Sequence, residues 1–161
     1  RIRSVSHQKI NKKIMITSAL SELFERDLQK LKTEMELYKN EDNLWVLKKG
    51  ISNTAGNLCL HLVGNLNHFI GATLGKSGYV RYRDDEFSLK NIPRQDLVIN
   101  IDNCILVVKN TFSKLSDADM EKDFPLEKHG TIVSNMHMLL HLYAHLSYHL
   151  GQINYHRRLL D

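Results

Sequence analysis

Apolar residues recur at helical spacing between Thr17 and Tyr38. Leu20, Leu23, Phe24, Leu28, Leu31, Met35 and Leu37 alternate there with acids and lysines. Offsets of three and four predict an amphipathic helix, with Thr17 or Ser18 as its cap. A second helix is predicted from about Ser52 to Leu74, stopped by Gly75. The run RYRDDEFS reads as a loop, and Pro93 then opens a third helix reaching roughly Leu115. The polar stretch DADMEKDFPLEKHG reads as a second loop, and a fourth helix follows from about Ser134 to Leu160. With only 2 prolines and 8 glycines, turn signals are too sparse for a sandwich or barrel. The expectation is an all-α fold, a four-helix bundle.

Charge separates these helices. Ile51 to Gly75 contains no Asp, Glu, Lys or Arg, and neither does Thr131 to His156. An uncharged helix must hide most of its circumference, because an open face normally selects charge. The second and fourth helices are therefore expected to be the buried pair. Their apolar surface exceeds what one bundle needs to bury, which points to a twofold homodimer. A membrane span is excluded, because the second stretch alone carries five histidines, Asn135, Gln152 and Asn154.

The 161 residues, 42% of them hydrophobic, suffice for one domain. The net charge of +4 is unevenly placed. Arg1, Arg3, Lys9, Lys12 and Lys13 precede any acid, and the remainder holds 17 basic and 18 acidic residues. Residues 1–14 thus read as a disordered or non-native leader, and 15–161 as the single domain. A nucleic-acid tether is the competing reading of that arm, and the near-neutral remainder argues against it. Two cysteines exclude a disulfide scaffold or a Cys-rich zinc module. Cys59 and Cys104 read as small core residues. No signal-peptide pattern is present, and a cytoplasmic location is expected.

Histidine carries the candidate chemistry. His137, His141, His145 and His149 follow one another at intervals of four, one turn apart on one helical face, and His156 comes later. Two imidazoles at that spacing can reach one metal ion. On the second helix His61, Asn65 and His68 share a face. Neutral imidazoles facing a bundle interior satisfy one another poorly without a cation. Gly151 reads as a point of close helix approach.

The runs NTAGNLCLHLVGNLNHFIGATLG and LLHLYAHLSYHLGQINYHRRLL together resemble the DinB/YfiT-like metalloenzyme superfamily, across nearly the whole chain from Met15. The resemblance implies a four-helix bundle with metal-binding histidines at His61, His145 and His149. It rests on His145-Leu-Ser-Tyr-His149 followed by Gly151-Gln152, and on His61 within LHLVGN. Leu150 stands where many members have arginine. Asn65, His68, His141 and Gln152 are candidates to support the ligands or line the cavity.

Three imidazoles leave a coordination position open, as in catalytic rather than structural sites. A divalent transition metal is expected, zinc or nickel first among the ions such a triad accepts. The resemblance implies an enzyme that activates a low-molecular-weight thiol for transfer to an electrophile. The alternatives are hydrolysis by hydroxide generated at the metal, and a non-catalytic stress-response protein with a structural metal.

Overall fold

The computed structural model describes residues 15–161, so the leader reading of residues 1–14 lies outside the described residues. Five α-helices carry the fold, and the described residues form no named strand. Helix α1 spans Ile16–Leu37. Helix α2 spans Ala55–Leu66 and continues as a π-helical segment, Asn67–Leu74. The short α3 covers Arg83–Ser88, α4 covers Arg94–Phe112, and α5 covers Asn135–Leu160. Helix α1 packs on α4 and α5, and α2 packs on the same two. The four long helices therefore form a ring in the order α1, α4, α2, α5, which is the expected all-α bundle. None is long and apolar enough to cross a membrane.

The helix starts are fixed by side chains, not always the expected ones. Thr54 Oγ1 accepts from the Asn57 backbone N–H at 3.1 Å, so α2 begins after Thr54 rather than at Ser52. Ser134 Oγ accepts from His137 N–H at 3.2 Å and caps α5. Neither Thr17 nor Ser18 caps α1. Instead Thr17 donates its N–H and its hydroxyl to Asp117 Oδ1, at 3.1 and 2.9 Å. Asp117 belongs to a 3₁₀ turn, Asp117–Glu121, inside the stretch expected to be plain loop. A carboxylate at that end also complements the helix dipole.

Leu28, Leu31, Met35, Leu62, Leu66, Ile101, Val108, Leu139, Leu146 and Ile153 are wholly buried in one core. Both cysteines lie in it, and burial pushes each thiol up to about 12. They stay protonated and serve as packing residues. The Asp27 carboxylate is buried between α1 and α5. It accepts from the hydroxyls of Tyr143 and Ser147, each at 3.0 Å, and from Arg26 at 2.8 Å.

Helix α2 is buried almost all round, as its lack of charge implied: every residue from Ala55 to Leu66 except Leu60 is buried. Helix α5 departs from that expectation. His137, Leu140, His141, Ala144, Tyr148, Gly151, Gln152, Tyr155 and Leu159 form an exposed stripe along it. Absence of charge marked full burial in α2 and only a half-buried helix in α5.

Candidate metal centre

Helices α2 and α5 are adjacent in the ring, and this brings His61 against the α5 histidines. Nε2 of His145 lies 3.1 Å from Nε2 of His61 and 3.1 Å from Nε2 of His149. The ligating atoms of all three lie within 4.8 Å of one another. The rings meet edge to face, with interplanar angles of 81° to 88°. Three nitrogens about 2.0–2.1 Å from one ion sit roughly 2.9 Å apart at right angles and roughly 3.3 Å apart at tetrahedral angles. The two separations from His145 fall in that interval.

The outer nitrogens decide which lone pairs are available. Nδ1 of His61 lies 2.9 Å from Glu86 Oε2. An ionised carboxylate only accepts, so Nδ1 carries the proton and Nε2 is free to donate its lone pair. Nδ1 of His149 lies 2.7 Å from Gln152 Oε1, also an acceptor, with the same result. His145 Nε2 therefore faces two lone pairs and can offer a proton to only one. Its Nδ1 is buried without a hydrogen-bond partner among the described residues. A cation satisfies all three Nε2 atoms at once; protons alone cannot.

Glu86 is itself clamped. Arg81 donates from Nε to Oε1 at 2.7 Å and from Nη2 to Oε2 at 2.8 Å. Burial acts to raise the Glu86 pKa, but the hydrogen bonds from His61 and Arg81, with the Arg81 charge, outweigh it and hold the carboxyl below its ordinary range. Gly64 makes room for this group: a Cβ there would stand 2.2 Å from Glu86 Oε1. Phe87 lies beside His61, ring centroids 4.9 Å apart. Burial, reinforced by the other imidazoles and Arg81, lowers the His145 pKa to about 4. Burial also lowers His149, against the opposing pull of Gln152.

The three expected ligands thus converge, and Gln152 supports one of them. Asn65 is buried one turn along α2, its Oδ1 without a hydrogen-bond partner among the described residues. His68 is half-buried, edge-on to Phe69 at 4.7 Å, and stands outside the convergent group. His141 is exposed, with its ring 6.4 Å from that of His145. His156 is structural. Its Nε2–H donates to the Val46 carbonyl at 2.8 Å, so its Nδ1 accepts from the Tyr38 hydroxyl at 2.7 Å.

Arg81 and Glu86 are the residues missed by sequence reasoning. They lie in and just before α3, in the run read as a loop. Three consecutive acids, Asp84, Asp85 and Glu86, offered a candidate acceptor for a ligand histidine. Only the helical phase of α3 turns Glu86 inward and leaves Asp84 and Asp85 exposed.

A cleft of about 510 Å³ lies beside this centre. Residues 48–53, Leu58 of α2 and one side of α5 line it, with His149 and Gln152 in its wall. Against known proteins, a family model described as protein of unknown function (DUF1572) matches residues 7–161. No curated protein matches the chain.

Proposed function

The chain belongs to the DUF1572 family, and from that membership and the geometry of its three imidazoles we propose a metal-dependent enzyme of the DinB/YfiT-like type. The reaction we assign is transfer of a small thiol to an electrophile. The observation that carries this reading is the convergence of three Nε2 atoms, with no fourth His, Cys, Asp or Glu joining them among the described residues. A structural site closes with four protein ligands; three leave room for a reactant.

A divalent ion held by His61, His145 and His149, zinc or nickel in our reading, supplies Lewis acidity that lowers the pKa of a thiol or water. The chain's own groups prepare that site. Glu86 keeps the proton on Nδ1 of His61 and, fixed by Arg81, holds the ring in place. Gln152 does the same for His149. Phe87 shields one side of His61 from water. The cleft beside His149 admits the acceptor.

The twofold dimer belongs to the same proposal. Gly151 lies mid-helix, yet a Cβ there would meet nothing within 4 Å in its own chain. The close packing expected at Gly151 is thus absent within one copy, and a second copy against Leu140, Ala144 and Gly151 would provide it.

The test is a cobalt-loaded protein titrated with small thiols, followed by turnover with model electrophiles. A sulfur-to-metal charge-transfer band and metal-dependent conjugation are expected, and both should survive replacement of Cys59 and Cys104. Metal-dependent hydrolysis without any thiol response would favour the hydrolytic alternative. Metal that changes only the melting temperature would favour the structural one.

A further inference from the structure

We infer that the cleft beside His149 receives an organic anion with an apolar body, selected by Lys48 and Lys49. The inference rests on the reading of the three imidazoles as the reaction centre, and names the kind of acceptor that centre would meet. A cleft of about 510 Å³ has the size that small organic ligands occupy, roughly 300–1,000 Å³. Ile51, Leu58, Tyr148, Tyr155, Leu159 and Leu160 supply apolar wall. His149 and Gln152 share that lining, so a molecule seated there lies beside the outer face of one imidazole of the centre.

The sign of the charge is set by the remaining residues. Lys48 and Lys49 line the cleft, and no Asp or Glu does. Among the described residues neither ammonium has a carboxylate within ion-pair distance, whereas lysines 32, 109 and 122 each have one. The two lysines sit on a tight turn, closed by the Ile51 N–H donating to the Lys48 carbonyl at 3.2 Å. Gly50 takes the left-handed conformation that this turn requires, with φ of 89°. His156, also in the lining, gives its N–H to Val46 and has no proton left for a ligand. A cationic ligand would be repelled here, and an anion gains an attraction to the two exposed ammonium groups that a neutral ligand lacks.

Calorimetric titration of the metal-free full chain with 4-phenylbutyrate and its neutral amide tests this. The carboxylate is expected to bind about fivefold more tightly than the amide, the effect of two solvent-exposed charge pairs. The margin should shrink as salt is raised. Lys48→Gln with Lys49→Gln should erase the margin while leaving amide affinity and melting temperature unchanged, since both lysines are exposed. Equal affinities, absence of binding by both compounds, or a margin that survives the double substitution would each overturn the inference. Metal uptake by the unmodified and substituted chains, measured after separate reloading, reports on the reaction centre independently. In cobalt-loaded protein the bound carboxylate's protons should relax faster, which places the anion beside the centre; unaltered relaxation would refute that placement.

Discussion

Glu86 Oε2 accepts the Nδ1 proton of His61 at 2.9 Å, and Gly64, one turn further along α2, is the residue whose missing side chain lets the carboxylate approach. One imidazole of the candidate metal centre is therefore aimed by an acid from a different element. On the proposed reading, metal affinity should respond to residues that would not touch the ion.

Single alanine substitutions at His61, His145 and His149 should each abolish stoichiometric metal uptake, measured by elemental analysis after dialysis against a weak chelator. His68→Ala and His141→Ala should retain it, because neither ring joins the convergent group. Full uptake by His145→Ala and His149→Ala would remove the metal centre.

Glu86→Gln should weaken metal binding by about 10- to 100-fold, the usual effect of losing a carboxylate behind a ligand histidine. Gly64→Ala should act in the same direction with all three ligands intact, because its methyl would displace Glu86. Competition against a chromophoric chelator reads both, with circular dichroism as the control for folding. Unchanged affinity in both variants would show that Glu86 does not tune the ligand.

Asp27 provides a stability test remote from the centre. Burial tends to raise its pKa, but hydrogen bonds from Arg26, Tyr143 and Ser147 prevail and hold it below the ordinary value. A depressed native pKa contributes stability above the unfolded value of about 3.9, and the contribution is lost as pH falls through the native value. Asp27→Asn should therefore destabilise by on the order of 1–3 kcal/mol near neutrality, from the donors it leaves poorly matched. Urea unfolding should show that deficit narrowing below about pH 4. A deficit independent of pH would contradict the assignment.

Sedimentation should give a dimer mass for the unmodified chain, and Gly151→Arg should give a monomer of unchanged helicity. A Cβ at this exposed position meets nothing within 4 Å in its own copy, so the substitution is aimed at an intermolecular contact. A monomer mass for the unmodified chain across concentrations would end the dimer proposal.

The sequence by itself determined the four long helices, the absence of charge on two of them, and the pair His145 and His149. These are local properties: helical periodicity and an interval of four residues place side chains on a face before any helix packs. His61 was legible through the resemblance, and its convergence with the α5 pair follows from α2 and α5 being neighbours in the ring. Tertiary structure alone decided the rest. It folded residues 81–88 so that Glu86 turns inward and Asp84 and Asp85 do not, and it gave the start of α1 to Asp117, one hundred residues away. It also left one face of α5 open where the absence of charge implied burial. Each of these depends on which surfaces meet after the helices dock, and a one-dimensional pattern records a residue's own helical phase but not the partner that phase will face.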